Sequence, residues 1–210
     1  MDERPSLRET FGAKESVAGL ALLLLAVALF FPANLLLERC YPDRPLVPDL
    51  AFELLPELPA LAYATDPILF ASIGVLLVLG LGGERRSLPR WLLAIGLAYL
   101  LRPFLMVLTP LGRPTGNMDS YGIFEILEVK QHGMFPSGHM MLASLAWLLV
   151  DRARNPKAKA LLLACMLLEG ATLVLSRGHY SIDIVGGFLV AWFVRSVLER
   201  KAGRPGSAAP

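Results

Sequence analysis

Two short segments of the chain hold most of the side chains whose types and spacing could do chemistry. The first segment, FPSGH at residues 135–139, begins a long apolar run. Pro136 suits the first turn of a helix, where its missing N–H would have no partner in any case. Ser137 and Gly138 would then leave backbone N–H groups uncovered at the positive helix end, which favours phosphate binding beside His139. Taken alone, the segment fits a capped helix start with an interfacial histidine equally well.

The second segment, SRGHYSID at residues 176–183, begins the last apolar run. His179 and Asp183 are four residues apart, so on a helix they would share a face. A carboxylate at that spacing can accept the imidazole N–H, fix the tautomer and stabilise the cation that forms later. The other ring nitrogen would then be free to attack phosphorus. A lone His-x-x-x-Asp pattern often arises by chance. It becomes evidence for a site only if the membrane topology places His139 and His179 at the same face.

The elements that must position these residues are membrane-spanning helices. The chain has 210 residues, of which 55% are hydrophobic, and its charges fall in clusters between long apolar runs. About 20 apolar residues span a bilayer core as a helix, and this length predicts an all-α, polytopic protein with six spans. The spans run over about residues 17–37, 67–81, 91–111, 135–150, 158–175 and 182–198. The first apolar run lacks a clear cleavage site, so we interpret it as a retained helix and not as a signal peptide.

Basic residues predict the orientation of these spans. Fourteen of the 20 Lys and Arg residues lie in the amino-terminal segment, in the loops after the second and fourth spans, and in the tail region. Five lie in the other three loops: Arg39, Arg44, Arg113, Lys130 and Arg177. Both termini are therefore predicted to be cytoplasmic. Both histidine segments then lie at the same outer face, towards the periplasm or an organelle lumen.

Three further charged residues are candidates for the site or its support, and two of them lie inside spans, where a charge is costly and tends to be functional or paired. Arg102, in the outer half of the third span, could bind a phosphate oxygen. Glu169, inside the fifth span, is interpreted as a structural partner of Arg102 or as a buried protonated acid. Arg177 fits a phosphate contact and an interface marker equally well. We expect a single catalytic domain over residues 1–201 and a disordered tail over 202–210.

Other classes of site and partner fit the sequence poorly. The three histidines, His132, His139 and His179, do not have zinc-ligand spacing, and no paired aspartates would hold magnesium. We therefore expect no metal and no cofactor. A net charge of +2, with no basic patch, argues against nucleic acid. Cys40 and Cys165 lie at different depths of the predicted bundle, so they are not expected to form a disulfide.

The two segments resemble the histidine motifs of the type 2 phosphatidic acid phosphatase superfamily of lipid phosphatases and phosphotransferases. The closer resemblance is to its sphingomyelin synthase branch. PLVPD at residues 45–49 resembles that branch's Pro-Leu-Pro-Asp segment, and HYSIDI at 179–184 resembles its last motif. Arg85-Arg86, together with YLLR at 99–102 through Thr109-Pro110, resembles its arginine-rich motif. These segments cover residues 45–187, which is most of the chain.

The resemblance implies a six-helix fold without a metal, in which His179 is the nucleophile and Asp183 assists it. It implies that His139 protonates one leaving lipid alcohol and deprotonates the next. The donor would be a glycerophospholipid and the acceptor ceramide or a diacylglycerol-like alcohol, with the chemistry on the exoplasmic side of the membrane. The candidate substrate-binding residues are Arg102, Ser137, Gly138, Arg177 and Tyr180. Partners other than these lipids are not indicated, and a homo-oligomer is left open.

The sequence also departs from both family patterns. The phosphatase pattern has a lysine seven residues before an Arg-Pro pair, where this chain has Ile95 or Met106. It also has an arginine six residues before the second histidine, where this chain has Leu173. The synthase branch has Cys-Gly-Asp before its first histidine motif, where residues 131–133 are Gln-His-Gly. We therefore predict a synthase-like transferase, with a lipid phosphate phosphatase and a non-enzymatic lipid transporter or scaffold as the alternatives.

Overall fold

The computed structural model describes residues 5–116 and 133–202, and in this part of the chain it contains helices and no strands. The predicted tail beyond residue 202 and the segment with Gln131 and His132 lie outside the described residues. The α-helices are α1 Leu7–Gly12, α2 Lys14–Cys40, α3 Leu50–Leu54, α4 Ala62–Leu81, α5 Leu88–Leu108, α6 Gly138–Leu149, α7 Pro156–Leu175 and α8 Ser181–Ala202, and a 3₁₀ turn, Pro59–Leu61, precedes α4. The all-α class predicted from the sequence is confirmed.

Five helical segments are long and apolar enough to cross a membrane. They are Lys14–Cys40, Pro59–Leu81, Leu88–Leu108, Pro156–Leu175 and Ser181–Arg200. Large apolar side chains on their outer surfaces are exposed in the isolated chain, for example Leu24, Val78 and Leu108. In a bilayer such side chains would contact lipid. The arrangement indicates a multi-pass membrane protein.

The predicted fourth span, residues 135–150, is shorter in the structure than the sequence indicates. α6 has 12 residues, or about 18 Å of helix, whereas a bilayer core is about 30 Å thick. It begins only at Gly138 because Ser137 caps it, and it ends before Val150, whose backbone is extended. Most of its side chains are buried by neighbouring helices. An enclosed helix can be short because its ends meet protein and not lipid.

The core of the bundle lies around α6. One apolar cluster joins it to α5 and α8 through Ala98, Met141 and Ala191. A second joins it to α4, α5 and α7, with Trp91 and Leu162 among its members. Without a hydrophobic driving force between helices in lipid, close packing of this kind is what holds them together.

Gly187 on α8 lies directly against the backbone at the start of α6. A Cβ atom at this position would lie 2.7 Å from the backbone oxygen of Ser137 and 3.0 Å from the backbone nitrogen of Met141. Neither backbone atom can move away as the end of a flexible side chain would. The missing side chain therefore lets the second turn of α8 lie against the first turn of α6, close to both histidine segments.

Candidate active site

His179 and Asp183 form a buried pair at the start of α8. His179 Nδ1 lies 3.1 Å from Asp183 Oδ2. With the proton on Nδ1, the imidazole donates to the carboxylate and leaves the Nε2 lone pair available. The two residues do not share a helical face as predicted, because α8 begins at Ser181 and His179 lies in the preceding loop. Arg177, with a positive φ of 57°, turns the chain out of α7 and places His179 there.

Asp183 is held by more than the imidazole. Its Oδ2 also accepts the backbone N–H of Tyr180 at 3.1 Å, and its side chain is fully buried. Its carbonyl oxygen accepts the backbone N–H of Ser137 at 3.1 Å. That last bond ties the start of α8 directly to the start of α6. The carboxylate is therefore fixed in position before any substrate arrives.

His139 has a carboxylate partner that the sequence analysis missed. Its Nε2 lies 2.9 Å from Oδ1 of Asp66 on α4, and both side chains are largely buried. The predicted second span began at Pro67, which left Asp66 in a loop, whereas α4 begins at Ala62 and includes both residues. A carboxylate one turn inside an apolar helix is costly unless it is paired or functional, and that cost was the available signal.

The first turn of α6 differs in detail from the prediction. Pro136 precedes the helix instead of lying in its first turn, and Ser137 is the cap, whose hydroxyl accepts the N–H of Met140 at 3.3 Å. The N–H of Ser137 is occupied by the carbonyl of Asp183. The N–H groups of Gly138 and His139 have no acceptor among the described residues. The N–H groups available to an anion are therefore displaced by one residue from those predicted.

Ser137 is fully buried, and the hydroxyl's role as a helix cap makes it a poor nucleophile. A substrate-binding role for Ser137 and Gly138 stays a prediction.

Arg102 lies against the first histidine segment, as its predicted depth implied. Its Nε donates to the carbonyl of Pro136 at 3.1 Å, and the guanidinium carbon lies 5.2 Å from the ring centre of Phe30. A side chain at Gly138 would come within 3.1 Å of the same nitrogen. The hydroxyl of Tyr99 donates to the carbonyl of Gly138 at 3.2 Å. α5 therefore positions the loop before α6 from one side.

Glu169 does not form the predicted pair with Arg102. The side chain is fully buried, and neither carboxylate oxygen has a hydrogen-bond partner within the described residues. Arg102 instead uses the Pro136 carbonyl and the Phe30 ring, because its side chain points towards the start of α6. The alternative interpretation of Glu169, a buried protonated acid, stays a prediction.

Arg177 and Tyr180 bind the segment that follows α2. Arg177 Nη2 donates to the carbonyls of Phe52 and Leu55 at 2.8 and 3.0 Å, and its guanidinium lies 4.2 Å from the Phe52 ring centre. The rings of Phe52 and Tyr180 stack with centres 5.6 Å apart. The Nη1 atom of Arg177 is buried and has no hydrogen-bond partner within residues 5–116 and 133–202. Most of the guanidinium thus has a structural role, and phosphate or substrate contacts by Arg177 and Tyr180 stay predictions.

Asp49 connects the segment that follows α2, which contains Phe52 and Leu55, to the start of α8. It caps α3 by accepting the N–H of Ala51 at 2.9 Å. It also accepts the backbone N–H of Ser181 and, at 2.9 Å, its hydroxyl. Leu58 adds a backbone bond to Leu175 at 2.8 Å. Residues 49–58 therefore lie over the loop that carries His179.

Burial lowers the pKa of His179. The carboxylate of Asp183 opposes this effect, while the charges of His139 and Arg102 add to it. His139 and Arg102 therefore lie close enough to His179 to affect its charge. The lowered pKa keeps His179 neutral at pH 7, which is the form that can act as a nucleophile.

Residues 134–200 match the family model described as PAP2 superfamily C-terminal. The match supports the type 2 phosphatidic acid phosphatase superfamily. It spans α6, α7 and nearly all of α8, and therefore both histidine segments. Of the segments that resemble the sphingomyelin synthase branch, those at 45–49 and 85–110 lie outside the match and HYSIDI at 179–184 lies within it. No curated protein matches the chain.

The superfamily match supports a lipid phosphatase or phosphotransferase function in general terms. The site geometry is compatible with that chemistry. It offers two imidazoles that each contact a carboxylate, an arginine, and two N–H groups at a helix start. No group of three or more His, Cys, Asp or Glu side chains suited to a metal ion is found in the described part of the chain.

Proposed function

We propose that this protein is an integral membrane phosphotransferase that moves a phospho-headgroup from a glycerophospholipid to a lipid alcohol such as ceramide. The observation that carries the proposal is the pair of histidine–carboxylate contacts, His179–Asp183 at 3.1 Å and His139–Asp66 at 2.9 Å. One pair supplies a neutral nucleophile with a free ring nitrogen. The other supplies an oriented imidazole that can give and take a proton.

In the first step, Nε2 of His179 attacks phosphorus and the bond from phosphorus to the diacylglycerol oxygen breaks. Protonated His139 gives its proton to that oxygen, so diacylglycerol leaves as a neutral alcohol. The headgroup is then held as a phosphohistidine, and Asp183 stabilises the charge that develops on the ring.

In the second step, the direction of proton transfer is reversed. Neutral His139 takes the proton of the acceptor hydroxyl, whose oxygen attacks phosphorus. The bond between phosphorus and Nε2 breaks, which regenerates His179 and releases the new phospholipid. The N–H groups of Gly138 and His139, together with the guanidinium of Arg102, would bind the charged oxygens in both steps.

Burial of the pair supports transfer to a lipid over transfer to water. The His179 side chain is 7% exposed and that of Asp183 is fully buried, and residues 49–58 lie over their loop. Excluding water from a phosphohistidine protects it from hydrolysis until an alcohol binds.

A groove beside Arg102 supports a substrate with acyl chains. It lies between α2 and α5 and has a volume of about 370 Å³. Its lining is entirely apolar: Leu29, Pro32, Ala33, Leu36, Pro103, Phe104, Val107 and Leu108. Pro103, the residue after Arg102 in α5, is part of this lining, so the groove lies on the helix that carries the arginine.

The test is to incubate purified protein with fluorescent ceramide and defined glycerophospholipids in the presence of a chelator. His179→Ala and His139→Ala are the matched inactive variants, and their melting temperatures establish folding. We expect a new phosphosphingolipid, whose headgroup identifies the donor, and no product from either variant.

Other outcomes would favour the alternatives. Released phosphate or free headgroup without a sphingolipid product would identify a phosphatase that uses water as the acceptor. No turnover of any lipid would favour a transporter or scaffold that binds anionic lipid. Full activity of folded His179→Ala would exclude the nucleophile assigned above.

A further inference from the structure

A second cavity lies at the end of the bundle opposite the two histidines. Its volume is about 490 Å³, and residues from the start of α5, the end of α6, the start of α7 and the end of α8 line it. α6 runs from one site to the other, because it begins beside His139 and ends at Leu149, which lines the cavity. Its 12 residues correspond to about 18 Å of helix. The cavity is therefore separate from the candidate active site.

Charged side chains surround this cavity, and basic ones predominate. They are Arg90, Arg152, Lys159, Arg195, Asp151 and Glu199. Two of the basic groups are already occupied. Arg195 Nε donates to Glu199 at 2.8 Å, while the Lys159 ammonium donates to the Trp147 carbonyl and lies 4.6 Å from its ring centre.

The other two cations, Arg90 and Arg152, form no salt bridge with any described residue. Arg90 Nη2 is buried and has no hydrogen-bond partner in that part of the chain. A buried guanidinium nitrogen without an acceptor is costly, so a negatively charged ligand would remove a penalty as well as add an attraction.

Part of the cavity wall is apolar, beside the charged side chains that supply most of its accessible surface. Trp91, Leu148, Val150 and Leu198 line it and are buried. A ligand that matches this lining carries negative charge at one end and an apolar body at the other. An inorganic anion would satisfy the arginines and leave the apolar part of the wall without contacts.

We propose that this cavity binds an anionic phospholipid, with its phosphate between Arg90 and Arg152 and its glycerol and upper acyl chains against the apolar lining. The predicted orientation places the cavity on the cytoplasmic side, where the membrane surface is negatively charged. The site joins the ends of four helices, so an occupying lipid stabilises the bundle. This binding does not depend on the reaction proposed for the histidines.

The test uses the full chain in phosphatidylcholine nanodiscs that contain increasing fractions of phosphatidylglycerol, with the melting temperature as readout. The test variant is Arg90→Gln with Arg152→Gln. The matched control is Lys157→Gln with Arg200→Gln, which removes the same charge from exposed positions at the same end of the bundle. We expect the wild type and the control to be stabilised by phosphatidylglycerol. The test variant should bind roughly 30-fold more weakly, the equivalent of about 1 kcal/mol for each of two charges, and lose the shift.

Several outcomes would overturn the proposal. No shift in the wild type, or equal shifts in both double variants, would mean that no lipid site depends on these arginines. An arginine-dependent shift produced by inorganic phosphate in pure phosphatidylcholine, as large as that of the lipid, would identify a free anion as the ligand. If the test variant has a lower melting temperature than the wild type in the absence of anionic lipid, the single variant Arg152→Gln is used in its place. Its affinity for phosphatidylglycerol is expected to fall about fivefold.

Discussion

At the residue scale, His179 depends on Asp183 both for its orientation and for its charge. Asp183→Asn keeps the shape of the side chain but removes the charge that fixes the Nδ1 proton and stabilises the imidazolium. We expect kcat to fall about 10³- to 10⁴-fold, with a wild-type melting temperature to within a few degrees. Steady-state turnover of fluorescent lipid measures the loss. A change of less than tenfold would show that Asp183 has no role in the chemistry.

The pH profile gives an independent check on the same pair. Because burial lowers the pKa of His179, its neutral form persists below the ordinary histidine range, and activity is lost as pH falls through this lowered pKa. Asp183 raises the pKa, opposing burial. Asp183→Asn should therefore shift the acidic limb of log(kcat/KM) to still lower pH. A shift to higher pH would contradict the assignment of His179 as the group that must be neutral.

His139 should depend on Asp66 in a comparable way. Asp66→Asn leaves the imidazole without a charged partner, so its orientation for proton transfer is weakened. We expect kcat to fall about 10- to 100-fold with little change in KM, since the substrate itself is held elsewhere. Asp43→Asn, which alters an exposed carboxylate in the loop after α2, is the control and should be neutral. A rise in KM at constant kcat would instead place Asp66 in substrate binding.

At the element scale, the two histidine segments are brought together by contact between the first turns of α6 and α8. Gly187→Ala places a methyl group against the Ser137 carbonyl, at 2.7 Å before any relaxation. We expect this overpacking to destabilise the protein by about 1–3 kcal/mol and to reduce activity, because the helix starts must separate. Thermal unfolding and turnover measure the two effects.

Gly74→Ala is the matched control for this substitution, because a Cβ at Gly74 on α4 meets no atom within 4 Å. It should keep wild-type stability and activity. Equal behaviour of the two variants would show that the contact between α6 and α8 does not limit the position of the site.

The predicted helix boundaries were wrong in two situations: where a polar residue lies inside a helix, and where an apolar residue lies outside one. Asp66 lies inside α4 because the helix begins at Ala62, and hydropathy alone could not extend a span through a carboxylate. Phe135 and Pro136 lie outside α6 because Ser137 caps it. Hydropathy measures transfer to lipid, whereas caps and tertiary partners decide where a helix begins.

At the scale of the whole molecule, the predicted orientation can be tested with a native cysteine. Cys40 is exposed at the end of α2, at the same end of the bundle as the histidine segments, whereas Cys165 is buried within α7. If both termini are cytoplasmic, an impermeant maleimide should label Cys40 in intact cells. Cys40→Ser is the control and should remove the label. In bacterial cells, where the predicted outer face is the periplasm, labelling only after the inner membrane is permeabilised would reverse the orientation and place the histidines in the cytoplasm.

The all-α class, the apolar segments and both histidine segments can be recognised in the amino-acid sequence alone. Apolar length predicts helices in lipid because every backbone polar group must be bonded within its own segment. The contact between His179 and Asp183 was predicted from a shared helical face, and the two residues do touch although His179 lies in the loop before α8. These are local properties, and local properties can be recognised along a single chain.

The partners of those residues come from contacts between distant parts of the folded chain. Asp66 pairs with His139 across 73 positions of the chain, and Asp49 holds Ser181 across 132. Arg102 binds the Pro136 carbonyl and not Glu169 because its direction is set by how α5 packs against the start of α6. No periodicity or charge pattern records such pairings. They depend on which helix ends meet in space, and close packing of the folded bundle decides that.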